Sequence, residues 1–368
     1  MTRERIDRPS GVACLADLGG WPGVLSRLAG RGDLCAEEAS AALTDVLEGN
    51  ATPSQIAAFI FGLRCKGETV EEMTGLVRAM VAAAETVDVP VVLRARLVDT
   101  CGTGGDRSGT INVSTIAALV VAAAGVPVCK HGNRAASSRA GSADLLEALG
   151  VVIDLGPRGV AQCIEEANIG FCFAPRFHAS LRFAGPTRRE LGVPTAFNFL
   201  GPLANPAQVT RQVVGVGDST MATKMAGVLA ANGAAHVLVV YGHDGLDELS
   251  TTGPSTVVQW RADADRNAAP TSRVIDPAAL GLRRATTKDL EGGDAATNAT
   301  LARRVLGGEA GAHRDIVLLN AAAALVVGGA AAHLAEGLPM AAAAIDGGEA
   351  AATLERLVAA SHAARAAP

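Results

Sequence analysis

The residues best placed to do chemistry run from Asp99 to Asp106, Asp-Thr-Cys-Gly-Thr-Gly-Gly-Asp. Gly102, Gly104, Gly105 and Asp106 fall within five positions, and Leu97-Val98 just upstream reads as the end of a buried strand. Without a Cβ, glycine lets backbone N–H groups come close to a ligand. A glycine turn that opens into a helix suits an anion, because the free N–H groups and the helix dipole both favour negative charge. The apolar run Ile116–Val121 predicts that helix, with Asn112, Ser114 and Thr115 at its mouth to cap it or bind oxygens. The spacing is not the Rossmann fingerprint, and no Gly-Lys-Ser/Thr follows as in a P-loop. Alone, the segment reads equally well as a tight strand-to-helix turn.

A second polar loop decides between those readings. Val126–Cys129 reads as a short strand, followed by Lys130-His131-Gly132-Asn133-Arg134-Ala135-Ala136-Ser137-Ser138-Arg139 and on to Asp144. A helix follows, with Ser142 as its expected cap and Leu145, Leu146 and Leu149 on its buried face. Two glycine-bearing loops, each at the carboxyl end of a strand, are better explained as two walls of one crevice for a phosphate-rich ligand. A third segment, Gly242–Ser250, follows the Val237–Tyr241 run and carries the adjacent acids Asp247 and Glu248. Adjacent acids usually mark a solvated turn. Beside phosphate-binding loops they call for cations, and magnesium is the usual one. His243 reads as structural.

Those loops need elements to hold them. From Trp21 to Ala84 the pattern is helical, with capping boxes at Thr52-Pro53-Ser54-Gln55 and Thr69-Val70-Glu71-Glu72. Residues before about Leu18 read as a loose arm. After Pro90, short apolar runs alternate with helical patterns: Leu97-Val98, Pro127–Cys129, Val151–Ile153, Phe171–Phe173, Val213–Val216 and Val237–Tyr241. This predicts an α/β domain with a mostly parallel central sheet flanked by helices, and Thr256–Trp260 as an antiparallel strand. Arg261–Ser272 reads as a surface loop, and the remainder as helical, with Asp294 opening one helix and Arg314–Val327 forming another. The expected division is a small helical domain over 1–90, receiving part of 175–206, and an α/β domain over 91–368.

Composition excludes several classes. The chain has 368 residues, a net charge of −5, one tyrosine and two tryptophans. An acidic chain with so few aromatics is poorly equipped for nucleic acid. Seven cysteines without a Cys-x-x-Cys pair point to buried free thiols in a reducing compartment and to no zinc site. The charged start, Thr-Arg-Glu-Arg, does not read as a signal peptide, and the alanine runs are too interrupted to span a membrane. The expectation is a cytoplasmic protein.

The combination of Gly102-Thr103-Gly104-Gly105-Asp106, Asn112-Val113-Ser114-Thr115 and Lys130-His131-Gly132-Asn133-Arg134-Ala135-Ala136-Ser137-Ser138 resembles the anthranilate phosphoribosyltransferase family, from about Ser40 to the last helix. The resemblance implies transfer of a phosphoribosyl group from phosphoribosyl pyrophosphate to anthranilate, in tryptophan biosynthesis. It implies donor contacts from Gly102, Gly105, Asp106, Thr110, Asn112, Val113, Ser114, Thr115, the Lys130–Ser138 loop and Ser142. It implies two magnesium ions held by Asp247 and Glu248 with Ser114. Arg188 falls where the family binds the acceptor carboxylate; taken alone it reads as a helix-surface arginine. Gly102 and Asn133 would also touch anthranilate, with His131 and His178 lining the same channel. The segment Ala174–Pro206, where the strand rhythm stops, would cross back to the helical domain as the far wall of the active site and a hinge. A homodimer through the helical domain is implied as well. Two alternatives share the fold. A pyrimidine nucleoside phosphorylase lacks Lys-His-Gly-Asn-Arg together with Asn198-Phe199-Leu200-Gly201-Pro202-Leu203. A nucleic-acid-binding relative would lose the carboxylate pair or gain a basic face. Arg107, Arg139 and Pro194 are minor departures from the family pattern.

Overall fold

The structure, a computed structural model, describes residues 14–106, 108–135, 139–263 and 269–366. The chain divides into two compact units: one runs to Ala84 and takes in Ser180–Leu200, and the other comprises Glu85–Ala179 and Gly201 onward. No helix among the described residues is long and apolar enough to cross a membrane.

The first unit is helical: α1 Gly20–Ala29, α2 Ala36–Leu47, α3 Pro53–Lys66 and α4 Val70–Ala82, joined by the short helix Gly185–Leu191. Both capping boxes form. The Thr52 and Thr69 hydroxyls accept from the Gln55 and Glu72 amides, and those side chains return the bond to the cap amides. Glu72 does more than cap. Its buried carboxylate also accepts from the Leu34 amide at 3.0 Å and the Lys66 ammonium at 2.9 Å. A Cβ on Gly75 would overlap the Ala36 carbonyl, so this glycine lets α4 and α2 meet backbone to backbone.

The second unit is built on a seven-stranded sheet: β1 Val98–Gly102, β2 Val128–Gly132, β3 Ile169–Phe173, β4 Arg211–Gly215, β5 His236–Gly242, β6 Ser255–Arg261 and β7 Thr271–Ile275. The order is β3-β2-β1-β4-β5-β6-β7, with β1 to β5 parallel and β6 and β7 added antiparallel. Helices flank the sheet, so the fold is the expected small helical domain followed by a larger, mostly parallel α/β domain. Val113–Ala123 and Ala312–Val327 are apolar nearly all round and buried on almost every face, the pattern of core helices.

The structure corrects the sequence reading of the strands in three places. First, β1 and β2 run further than their apolar residues, through Gly102 and Gly132. Parallel pairing continues to Gly102 against Gly215 and Gly132 against Phe173, and ladder bonding outweighs glycine's poor strand propensity. Second, Val151–Ile153 is not a strand. Val151 and Ile153 are buried by packing, and the Val152 amide donates to the Ser361 hydroxyl on the last helix instead of to a neighbouring strand. Third, Thr271–Ile275 is an edge strand whose first two residues lie in the segment read as a surface loop. It is largely exposed, so it carries no apolar alternation to announce it.

Candidate active site

The strand order has a switch point between β1 and β4. From β1 the chain builds outward through β2 and β3, then returns to add β4 on the other side of β1. Ligands of open α/β sheets sit at the carboxyl ends of the strands at such a point. Here those ends are Gly102 and Gly215, which are register partners. A Cβ on Gly215 would collide with the Asp247 backbone carbonyl, and one on Gly102 with the Asp247 carboxylate. The paired glycines therefore let the loop after β5 lie over the strand ends. The Gly104 amide donates to Asp247 Oδ2 at 2.7 Å, and the Ser114 amide donates to Glu248 Oε1 at 3.1 Å. The first and third sequence segments thus converge.

The β5 loop is fixed from behind. Asn320, buried in the core helix Ala312–Val327, accepts from the Leu249 amide at 3.0 Å and donates to the Leu249 carbonyl at 2.9 Å. Leu249, next to Glu248, is therefore held at both its amide and its carbonyl. Asp244 accepts from the Ser250 and Thr252 hydroxyls and from the Leu246 amide, and His243 bonds the Thr256 hydroxyl at 2.9 Å.

Burial raises both carboxyls of the acidic pair. Asp247 is pushed up to about 7 by burial and then by the Asp106 carboxylate, with the Gly104 amide opposing. Glu248 is pushed up to about 8 by burial and then by Asp247, with Lys130 opposing. Acids this desolvated and this close to one another gain from a hard cation. The donor set is all oxygen, which suits magnesium. Among the described residues no three His, Cys, Asp or Glu side chains form a metal cage. Magnesium fits such a site, since it commonly takes one or two carboxylates and completes its shell from water and phosphate.

The second loop is tied to the first. Lys130 lies buried in the middle of β2, where its ammonium donates to the Thr100 carbonyl and to Ser114 Oγ at 3.3 Å. Ser142 does not cap its helix. Gly141 holds that position, with its amide bonded to Asp144, and the Ser142 hydroxyl accepts from Thr115 Oγ1 at 3.0 Å. Asn112 stands at the N-cap of Val113–Ala123 but makes no side-chain cap bond; its carboxamide donates to the Ala140 carbonyl at 2.9 Å. Val113 is buried, and Thr110 bridges to Glu291. Arg134 pairs with Asp144 and Glu147, and Ala135 donates to Asp144 at 2.9 Å. Asn133 Oδ1 accepts from the Arg134 amide at 2.7 Å. Arg107, Ala136, Ser137 and Ser138 lie outside the described residues.

Residues 94–351 match the family described as "Glycosyl transferase family, a/b domain", and residues 22–84 match its "helical bundle domain". An anthranilate phosphoribosyltransferase of Salinispora arenicola is 52% identical over 350 residues, covering 94% of this chain and 98% of its own. The chain belongs to the anthranilate phosphoribosyltransferase family. The crystal structure of the family's Thermus thermophilus enzyme superposes with a TM-score of 0.85 at 42% identity, over 92% of this chain and 99% of that one. The Saccharomyces cerevisiae enzyme, solved in complex with PRPP and Mg, gives 0.83 at 26% identity, over 93% and 98%.

Three further residues matter to the anthranilate phosphoribosyltransferase reading. Arg188 lies on Gly185–Leu191 in the helical unit, its guanidinium 5.2 Å from the centre of the Phe197 ring. Among the described residues it makes no ion pair, and burial lowers its pKa. His131 bonds the Gly201 carbonyl through Nδ1 at 3.1 Å, while Nε2 is buried without a partner among the described residues. Burial, then the neighbouring His178, lowers its pKa to about 3. The His178 ring lies tilted against that of His131, 5.1 Å between centres, and bonds the Ala204 carbonyl.

Sequence reading missed the asparagines that organise this family's site. Asn205 donates to Asp99 at 2.8 Å and to the Cys129 carbonyl at 2.9 Å, joining β1 to β2. Asn320 clamps Leu249, and Asn298 bonds Asn112. One signal was available: Asn320 is an amide inside an apolar helical run, Leu318-Leu319-Asn320-Ala321-Ala322, and a buried amide needs partners.

Proposed function

We propose that this chain transfers the phosphoribosyl group of phosphoribosyl pyrophosphate to the amine of anthranilate, giving N-(5-phosphoribosyl)anthranilate and pyrophosphate. The observation that carries the reading is the convergence at the switch point. The Gly104 and Ser114 amides, the start of helix Val113–Ala123 and two desolvated carboxylates meet in one place. The glycine turn and the helix start suit phosphate, while the Gly104 and Ser114 amides fix the carboxylates that suit its accompanying cations.

In this reading the Gly102–Asp106 turn, the Thr110–Thr115 segment, the Lys130–Ser138 loop and Ser142 bind the donor. Asp247, Glu248 and Ser114 would hold magnesium, two ions in all, which when bound would neutralise charge on the pyrophosphate. As the C1–oxygen bond of the ribose breaks, C1 gains oxocarbenium character and negative charge grows on the leaving group. Amides of the Gly102–Asp106 turn other than Gly104, which is bonded to Asp247, would stabilise that charge. The anthranilate nitrogen forms the new bond to C1 as the C1–oxygen bond breaks, and its proton then passes to water or the departing pyrophosphate. An aromatic amine is a neutral nucleophile, so no strong base is needed. A histidine with a pKa near 3 suits His131 to accept a hydrogen bond from the amine, not to remove its proton. Arg188, without an ion pair among the described residues, would bind the acceptor carboxylate, and Asn133, Gly102 and His178 would line its place. Alignment of the amine on C1 supplies much of the rate.

The reading includes a cytoplasmic location and a homodimer through the helical unit. Phe61, 48% exposed on α3, and Val70 at the start of α4 give that unit apolar surface to bury. Sedimentation giving a monomer at micromolar concentration would count against the dimer. The activity is tested by the loss of anthranilate fluorescence on adding phosphoribosyl pyrophosphate and magnesium. Donor-dependent loss supports the assignment. No loss with active-site titration intact refutes it.

A further inference from the structure

Asn298, on helix Ala295–Leu306, is 1% exposed and has no part in the reaction described above. It is not the helix cap: Asp294 fills that role, accepting from the Thr297 amide at 2.9 Å. Instead Asn298 Oδ1 accepts from the Gly293 amide at 2.7 Å, and its Nδ2 donates to Asn112 Oδ1 at 2.9 Å. Asn112 Nδ2 donates in turn to the Ala140 carbonyl at 2.9 Å. A run of hydrogen bonds thus links Gly293, Asn298, Asn112 and Ala140.

The run has a direction. Because Asn298 presents an N–H, Asn112 must present its oxygen there and its nitrogen to Ala140. The backbone around it is closely seated. A Cβ on Gly292 would stand 2.7 Å from Asn298 Oδ1 and 2.9 Å from the Thr110 carbonyl, and the Gly292 amide donates to the Gly109 carbonyl at 2.8 Å. A residue serving only the Gly293 turn would need its oxygen alone. The nitrogen of Asn298 is committed to Asn112, at the mouth of the helix that starts the first loop's anion site.

We propose that Asn298 is a positioning residue for the donor, acting through Asn112. It orients the Asn112 carboxamide and so holds the start of helix Val113–Ala123 against Ala140, at the far end of the second loop, before the donor arrives. The proposal rests on the reading of these loops as the phosphoribosyl pyrophosphate site. It is tested by calorimetric titration of phosphoribosyl pyrophosphate, with magnesium, into the native protein, Asn298→Ala, Asn112→Ala and the double variant, with thermal melts alongside. Asn298→Ala should weaken the donor about tenfold, the scale of one lost hydrogen bond, and leave the Michaelis constant for anthranilate within about twofold. In the Asn112→Ala background the same change should have no further effect on the donor. Should Asn298→Ala not fold, Asn298→Asp replaces it: the acceptor for Gly293 remains, and the ionised side chain has no N–H for Asn112. Native donor affinity in the single variant, or a loss that persists without Asn112, overturns the proposal. If the native protein binds no donor, the functional reading itself has failed, and the positioning role with it.

Discussion

Two buried acidic sites in this chain have opposite surroundings. In the helical unit Glu72 accepts from two backbone amides and from Lys66, which Asp33 also contacts at 2.6 Å. Each carboxylate oxygen has a donor, and a cation stands against it. In the α/β unit Asp247 and Glu248 each take one backbone amide, lie against each other and Asp106, and have Lys130 as the opposing charge at Glu248. Burial without full compensation raises a carboxyl, and the structure keeps the acids there anyway. A buried acid that is fully partnered is a fixture of the fold. One that is not is kept for what it will bind.

The comparison breaks most visibly in the acids themselves. Asp247→Ala with Glu248→Ala should lower turnover by about a thousandfold or more, since the metal-assisted stabilisation is lost. The melting temperature should hold or rise, because two desolvated charges are removed. Turnover near the native rate at limiting magnesium would refute the metal assignment. Glu72→Ala should do the reverse. It strands the Leu34 and Thr69 amides and leaves Lys66 with one acidic partner, a loss of about 3–5 kcal/mol in denaturant unfolding. At temperatures where the variant stays folded, turnover should be native.

How far each site could be read from sequence follows the same contrast. Glu72 was legible as a capping-box residue because the box is local, Thr69 to Glu72. Its bonds to Leu34 and Lys66 depend on how the helices turn back, which spacing does not record. The loops proposed to bind phosphate stand out in the sequence because glycines, hydroxyls and acids cluster within a few positions. Their boundaries do not: Lys130 and His131 were read as loop and are strand, since pairing with β3 is a property of the sheet. Ser142 was read as a cap from its type, but its hydroxyl meets Thr115, 27 residues earlier in the chain. Asn205, Asn298 and Asn320 act over still longer separations, so single-sequence patterns did not assign them.

Arg188 sharpens the comparison from the acceptor side. On the proposed reading, Arg188→Ala would remove a charge-assisted pair with the anthranilate carboxylate, at a cost of about 2–4 kcal/mol. The Michaelis constant for anthranilate should rise steeply while calorimetric donor binding hardly changes. Equal weakening of both substrates would refute the division between donor and acceptor groups.

The smallest effect concerns a buried base. His236 lies at the start of β5, where Gln259 Nε2 donates to its Nε2 at 2.8 Å, so that ring nitrogen is unprotonated. Burial, then Arg261 and Arg211, lowers its pKa to about 4. A histidine held below its ordinary value near 6.5 binds its proton more readily in the unfolded chain. Its contribution to stability is therefore full above about pH 6.5 and is lost as pH falls toward about 4. Unfolding followed between pH 7 and 4 should show native stability falling with acid, and a shallower fall in His236→Gln. Equal slopes would contradict this.

The central claim is that Asp247 and Glu248 are kept for a cation that arrives with the donor. It is tested most directly by titrating phosphoribosyl pyrophosphate calorimetrically into the native protein and into Asp247→Asn with Glu248→Gln, each with magnesium and with a chelator. The native protein should bind far more tightly with magnesium, and the variant should bind alike in both conditions. The same magnesium dependence in the variant would contradict the claim.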